Sequence, residues 1–315
     1  MKNTVVNGKK LSNMTLGTVQ LGMNYGIANQ GGQPDTEKSH SMLFTAIENG
    51  VLSLDTARAY GTSEDVLGSF LKKCNKKDEI FITSKVKLSL EDNCDSKIVE
   101  KAMFESVETS LSKLGVNKLD CLLLHSAGEM TKYGDIVPET LERMIKEGYI
   151  DMAGASVYEP HELDTMLEYD VYTATQVPMS LFDQKLITKG YIKKLEERDI
   201  KVFVRSVFLQ GLFFLNPDTI DDPLLKEYAA PYIRKLLEFC SEEGMTVAEF
   251  AISFIRDIKG VTSLVLGADT PEQVMQNIGY MNAPSLSEIV REKSYETFKD
   301  VNLEKIMEVL RRPKA

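Results

Sequence analysis

The chain has 315 residues, 43 % apolar and 27 % charged, the balance of an ordinary globular protein. Its 37 basic and 47 acidic residues leave a net charge of -10, which excludes nucleic acid as a default partner, because phosphate binding wants a basic face. Cys74, Cys94, Cys121 and Cys240 show neither a paired nor a metal-ligand spacing, no run approaches the ~18 apolar residues of a membrane span, and Met1-Lys2-Asn3-Thr4 opens no signal-peptide pattern; the expectation is a soluble cytoplasmic protein without a metal.

Asn7-Gly8 lies between the short runs Val5-Val6 and Lys9-Lys10-Leu11, a strong hairpin signal. Met14-Thr15-Leu16-Gly17-Thr18 reads as the first core strand and leads into a glycine-punctuated loop, Val19 to Gly26. Ser41 to Asn49 is predicted helical, with Leu43, Phe44 and Ile47 facing a core and Gly50 as its cap. From here a unit recurs of apolar strand, polar loop and helix. The second strand, Val51-Leu52-Ser53-Leu54, ends at Asp55, and its helix runs from Ser63, the predicted N-cap, to Leu71. The third, Ile80 to Ser84, ends at Lys85 and is followed by a helix from Ser96 to Leu114, stopped by Gly115. The fourth, Leu119 to Leu124, ends at His125, with a helix from Pro138 to Glu147 and Gly148 past its end.

The fifth strand, Ile150 to Ala155, is followed by Ser156 and a helix from Glu159 to Glu168. The sixth is Ala174-Thr175-Gln176-Val177, with a helix from Asp183 to Arg198. The seventh, Lys201 to Val204, ends at Arg205-Ser206; an irregular stretch from Val207 to Ala230 precedes helices from Pro231 to Glu242 and from Thr246, a predicted cap, to Arg256. The eighth, Ser263 to Leu266, turns through Gly267 into a helix starting near Pro271, and helices from Leu286 to Phe298 and Asn302 to Leu310 close the chain. Eight strands alternating with helices, without a linker-like break, predict an α/β fold of one (β/α)8 TIM barrel domain over 1–315, with an N-terminal hairpin and extra C-terminal helices. A doubly wound sheet would normally bring G-x-G-x-x-G after its first strand, and Gly17, Gly22 and Gly26 are too widely spaced for it.

In a parallel barrel all strand C-termini share one face, where the chemistry sits. Asp55, Lys85 and His125 end the second, third and fourth strands there, with Tyr60 just beyond the first of them. An ammonium beside a phenol favours phenolate, a carboxylate holds the ammonium charged, and a neutral imidazole can orient a substrate oxygen. Together they form a general acid that protonates a carbonyl oxygen while hydride arrives from elsewhere. No side chain donates hydride, so a nicotinamide cofactor is implied.

With Leu16-Gly17-Thr18, Asp55-Thr56-Ala57, Tyr60-Gly61, Ser84-Lys85 and His125 in this order, the chain resembles the aldo-keto reductase superfamily nearly end to end, and its bacterial members in particular through Gly17 to Gly22 and Tyr25-Gly26. The resemblance implies Tyr60 as proton donor in reduction and acceptor in oxidation, Lys85 lowering its pKa, Asp55 pairing with Lys85, and His125 orienting the carbonyl. It implies NADP(H) or NAD(H) extended across the barrel mouth. The cofactor-binding residues it points to are Gly17, Thr18, Gln20 and Asp55, with Ser156 and Gln176 at the carboxamide. Arg205, Ser206, Leu209 and Gly211 follow along the pyrophosphate, and Gly267, Ala268, Gln273 and Asn277 at the adenosine phosphate.

Two positions depart from the family. Val157 stands where an Asn usually follows the serine, removing one hydrogen bond to the carboxamide. No Lys or Arg lies between Gly267 and Asn277, where NADPH-preferring members carry basic residues, and Asp269 and Gln273 stand there instead. An acid near the ribose favours a free 2′-hydroxyl, so a weakened NADPH preference is expected. Tyr25, Met23 and Phe182 are read either as substrate-pocket residues or as packing under loops, and Phe208, Leu212, Phe213 and Phe214 as a lid or as core. His40 and His161 are read as surface residues and Cys121 as core. The expected partner is a small-molecule carbonyl or alcohol, sugar-like or polyol by analogy, with no nucleic acid or membrane and with a monomer or small homo-oligomer as the assembly. Two other readings stay open: an aldolase with Lys85 as Schiff-base lysine, and a non-catalytic cofactor sensor on the same barrel.

Overall fold

The computed structural model describes residues 1–26 and 31–312; residues 27–30 and 313–315 of the predicted 1–315 unit lie outside the described residues. Strands β1 (Asn3–Val6) and β2 (Lys9–Ser12) form an antiparallel hairpin over Asn7 and Gly8, whose φ values of 48° and 82° are those a tight right-twisted turn demands. Then follow β3 (Met14–Gly17), β4 (Ser53–Asp55), β5 (Phe81–Val86), β6 (Cys121–Leu124), β7 (Ala153–Ser156), β8 (Tyr172–Pro178), β9 (Lys201–Arg205) and β10 (Val261–Leu266). These eight pair in parallel and close a barrel in the order β10-β3-β4-β5-β6-β7-β8-β9, with helices around it.

Alternation along each strand sorts the side chains. On β5, Phe81 belongs to the barrel interior, while Ile82 and Val86 join the core between barrel and helices. Phe81 and Phe203 approach across the interior with ring centroids 6.4 Å apart. Val6 and Leu11 of the hairpin join the same cluster as Phe81, Cys121, Leu123 and Phe203, so the hairpin plugs the lower end of the barrel. Lys9 pins it there, donating to the Ile80 carbonyl at 3.1 Å and pairing with Asp120 at 2.9 Å. Four residues beyond Phe81 the same period brings Lys85 to the upper end.

Several boundaries differ from the sequence reading. The predicted helix from Asp183 to Arg198 is two, Lys185–Thr188 and Tyr191–Glu197, because Gly190 takes a φ of 74° between them. The loop after β3 contains a helical turn, Val19–Gly22, and the stretch from Val207 holds a 3-10 segment, Leu209–Phe214, and a helix, Pro223–Tyr228. Asp35, accepting from the Lys38 N–H, starts the helix Thr36–Glu48 five residues before the predicted Ser41. Ser63 is not an N-cap: it is the first residue of Ser63–Leu71, and its hydroxyl joins those of Thr18 and Thr56 at 2.8 and 2.9 Å. His40 is not on the surface. It is buried in its helix, bonded at 2.7 Å to Ser69 of the next one, and burial lowers its pKa. Cys121 is core, and all four cysteines are free. Among the described residues no helix is long and apolar enough to cross a membrane, and no cluster of His, Cys, Asp and Glu is arranged to hold a metal.

Candidate active site

Asp55 is the last residue of β4 and Lys85 the last but one of β5; both are buried, at 3 % and 1 % exposure. The Lys85 ammonium stands 2.7 Å from each Asp55 oxygen, 3.0 Å from the Thr56 carbonyl and 3.2 Å from the Tyr60 hydroxyl. A charge this deep survives only when paired and hydrogen-bonded, and Asp55 supplies both. Gln176 on β8 donates its side-chain amide to the same Asp55 at 2.8 Å. That amide, expected at a cofactor carboxamide, here completes the shell of the acid.

The turn carrying Tyr60 is fixed from two sides. Gly22, at the end of Val19–Gly22, lies so close that a Cβ there would stand 1.8 Å from the Tyr60 carbonyl oxygen; one on Gly61 would stand 2.2 Å from the Gly22 oxygen. On the outer side of the barrel, buried Glu64 accepts from Arg58 at 2.6 Å and from Ser84 at 2.8 Å, joining the turn to β5. The His125 ring meets the Tyr60 ring edge-on, with centroids 5.7 Å apart at 83°.

The electrostatics correct one expectation. Burial raises the Tyr60 pKa above its ordinary 10.0; Lys85 pulls in the opposite direction without overcoming it. Burial also works against the Lys85 ammonium, but Asp55 and Tyr60 hold its pKa above the ordinary value. For His125, burial and then the charges of Lys85, Lys87 and Arg205 lower the pKa to about 4, so the ring is neutral at physiological pH. The array is a protonated phenol, a charged ammonium held by Asp55, and a neutral imidazole.

Tyr60 and Asp55 open on a cavity of about 470 Å³. Of the residues expected at it, Gly17, Thr18, Gln20, Tyr25, Gln176, Arg205, Ser206, Gly211, Gly267, Gln273 and Asn277 line it. Ser156, Leu209 and Ala268 are buried and not part of its lining, and Met23 is exposed outside it. Phe182 packs against Phe213 and Phe298, with centroids 4.8 and 5.4 Å away, in an aromatic core away from the cavity. Phe208 and Phe214 line the cavity, 5.1 Å from each other, whereas Leu212 and Phe213 are core. The rim segment holds Ser206, Leu209 and Gln210 at φ of 64°, 47° and 56°, a left-handed conformation that costs non-glycine residues energy and is retained where the surroundings over-determine it.

At the far end, a Cβ on Gly267 would come 2.2 Å from the Gln20 amide nitrogen, while Gln20 Oε1 is buried without a protein partner. Asn277 donates to the Gly267 carbonyl at 3.0 Å, and the Asp269 N–H donates to Gln273 at 2.6 Å. Gln276 and Tyr280 line this end but were missed by the sequence reading. They follow Gln273 by three and seven residues on the helix Pro271–Tyr280, a spacing that marks one face. Val157 is buried; its N–H donates to the Gln176 carbonyl and its own carbonyl accepts from Arg205. Tyr158, also missed, stacks under the Arg205 guanidinium at 4.2 Å, a contact no local pattern announces.

Comparison with known proteins identifies relatives of this chain. The sequence model described as the aldo/keto reductase family matches residues 13–293. The chain is 26 % identical over 267 residues to the oxidoreductase YqkF of Bacillus subtilis (81 % of this chain, 85 % of the other). It is 22 % identical over 304 residues to an L-glyceraldehyde 3-phosphate reductase of Escherichia coli, covering 86 % of each. Its fold superposes on the glycerol dehydrogenase of Gluconobacter oxydans with a TM-score of 0.76 at 22 % identity (96 % of this chain, 95 % of the other). For an aldo/keto reductase of Klebsiella pneumoniae solved with NADP and acetate the TM-score is 0.67 at 19 % identity, with 92 % of both covered.

Proposed function

The chain belongs to the aldo/keto reductase family, and on that premise we propose that it is an NAD(P)(H)-dependent oxidoreductase interconverting a small carbonyl compound and an alcohol, with Tyr60 as general acid and base. The observation that carries this reading is the Tyr60 hydroxyl 3.2 Å from an ammonium that Asp55 grips with both oxygens, in the wall of a cavity of about 470 Å³. The cavity is lined from Tyr60 and Gln176 to Gln273 and Tyr280; the Gln20 amide occupies the space a side chain on Gly267 would need, and its Oε1 is buried there without a protein partner. An extended dinucleotide fits these residues, with Gln20, Gln273, Gln276 and Asn277 as neutral donors and acceptors at its far end. When bound, the nicotinamide supplies or accepts the hydride.

In reduction, the Tyr60 hydroxyl gives its proton to the carbonyl oxygen. The raised pKa keeps that proton in place at neutral pH, and the Lys85 N–H stabilises the phenolate left behind. Asp55 keeps Lys85 charged and oriented. Neutral His125 holds the carbonyl oxygen by a hydrogen bond without adding a second charge to the site. Oxidation runs the same proton in reverse. A positioned general acid of this kind contributes roughly 10²–10⁴-fold. The aldolase alternative needs a neutral, accessible amine, whereas Lys85 is charged and 1 % exposed.

Two of the similar proteins are named for three-carbon hydroxylated compounds, L-glyceraldehyde 3-phosphate and glycerol, which supports a small hydroxylated carbonyl as substrate. The absence of Lys and Arg from 267–277 supports a weakened NADPH preference, with NADH also used. Titrating the protein with each cofactor, following nicotinamide fluorescence, and assaying hydroxyaldehyde reduction tests both parts. Binding of NADH and turnover of a hydroxyaldehyde are expected. Failure of folded protein to bind either cofactor would overturn the oxidoreductase reading. A preference for NADPH beyond about tenfold, ~1.4 kcal/mol, would overturn the cofactor choice alone.

A further inference from the structure

Arg205 is a cation in the cavity wall that forms no ion pair among the described residues, the buried Asp183 acting on it only at longer range. Arg58, Arg143, Arg198, Arg234, Arg256 and Arg312 all form ion pairs. Arg205, the last residue of β9 and half-buried, has only the Val157 carbonyl at 3.3 Å and the Ser206 hydroxyl at 3.5 Å, and no ion pair among the described residues. Its guanidinium carbon lies 4.2 Å from the Tyr158 ring centroid; Arg311, following the last helix and likewise without an ion pair among the described residues, lies 5.5 Å from the same centroid. In a chain of net charge -10 two such cations on one aromatic ring are conspicuous. Arg205 belongs to the reacting end: it lines the same cavity as Tyr60 and Gln176, and after burial it is among the charges acting on Tyr25, Tyr60 and His125.

A guanidinium stacked on an aromatic face is weakly hydrated and held in plane, with its fork of N–H donors aimed edgewise. That is the arrangement which receives a carboxylate or phosphate in bidentate fashion. Lys85 cannot take this role, because its donors are spent on Asp55, Thr56 and Tyr60. We propose that Arg205, braced on Tyr158 and supported by Arg311, is a specificity-determining residue that receives an anionic group, carboxylate or phosphate, carried by the carbonyl substrate. This rests on the oxidoreductase reading above and names the substrate class for the same site.

The test compares matched pairs at saturating cofactor: succinic semialdehyde against butanal, and glyceraldehyde 3-phosphate against glyceraldehyde. The expected result is a kcat/KM for one or both anionic members that exceeds its neutral partner by about 10- to 100-fold, the worth of one charged hydrogen bond. R205Q should collapse that ratio towards one, mainly through KM, and R205K should recover part of it. The pair that responds identifies the anion as carboxylate or phosphate. A ratio near one in wild type for both pairs, or an equal loss on both members in R205Q, would overturn the proposal. An unchanged ratio with a large rise in cofactor Kd would assign Arg205 to the cofactor phosphates and overturn it as well. Should no carbonyl be reduced, the oxidoreductase reading fails, and calorimetric titration with succinate and with phosphoglycolate decides the anion site separately. Binding that R205Q abolishes upholds it, and no binding by wild type overturns it.

Discussion

The two ends of the cavity are built on opposite terms. At the reacting end, charge is buried: Asp55, Lys85 and Tyr60 are locked in a short network, and the cost of desolvating each is offset by the others. At the far end, Gln20, Gln273, Gln276 and Asn277 are neutral amides on a loop and a helix face, and Gln20 Oε1 has no protein partner. The Asp55–Lys85–Tyr60 network holds its positions with or without ligand because it is closed within the protein, whereas His125 Nδ1 beside it is buried without a protein partner. A recognition surface needs hydrogen-bonding capacity left for the ligand, and Gln20 Oε1 retains it while Asn277 and Gln273 are partly engaged by Gly267 and Asp269. A closed charged network at one end and neutral amides at the other distinguish the two ends of a single cavity.

The contrast can be broken most forcefully at Lys85. K85M removes the ammonium and leaves Asp55 buried without its partner, so it should cost roughly 3–5 kcal/mol of stability along with turnover. Denaturant unfolding checks this, and unchanged stability would mean that the ion pair does not dominate its surroundings. Next in size is G22A. Its methyl must displace the Tyr60 backbone, now 1.8 Å from the ideal Cβ position, and a displacement of about 1 Å costs on the order of 10² in rate. Steady-state kinetics with retained cofactor binding would show the damage confined to the reacting end; equal loss of binding would deny that the ends are separable.

The smallest effect is expected at Glu129, buried near the reacting end, with Oε1 accepting from the Leu88 N–H at 2.8 Å and Oε2 without a partner. Burial raises its pKa from 4.5 to about 7. Because the folded state holds this proton more tightly than the unfolded chain, the stabilisation is fully present below pH 4.5 and is lost as pH rises through about 7. E129Q should therefore raise Tm by a few degrees at pH 8, with the gain shrinking towards pH 5. A pH-independent difference in melting curves would count against a buried titrating carboxyl.

The clustering of Asp55, Tyr60 and Lys85 was legible in the sequence because its logic is local. Each apolar strand run stops at a polar residue, and alternation from Phe81 and Ser53 carries Lys85 and Asp55 to the same side of their strands. The turn residues Asn7-Gly8 and the helix from Ser96 to Leu114 with Gly115 at its end were legible for the same reason. What depended on contacts across the barrel was not. The bond from Gln176 to Asp55 joins residues 121 apart, and Phe182 was drawn into the aromatic core by Phe213 and Phe298, which no nearby residue foretells. Ser63 reads as a helix cap until Thr18 and Thr56 claim its hydroxyl. The rise in the Tyr60 pKa was likewise hidden, because Lys85 is visible in the chain but the depth of burial is not.

The most direct test of the account is a comparison of wild type and Y60F on one hydroxyaldehyde with saturating NADH, with nicotinamide fluorescence followed on the same samples. The account predicts that Y60F still binds cofactor while kcat for reduction falls by about 10²–10⁴-fold, the contribution of a positioned proton donor. Turnover at the wild-type rate in Y60F would contradict it, since the proton would then come from elsewhere and the Asp55–Lys85–Tyr60 network would have no part in the chemistry.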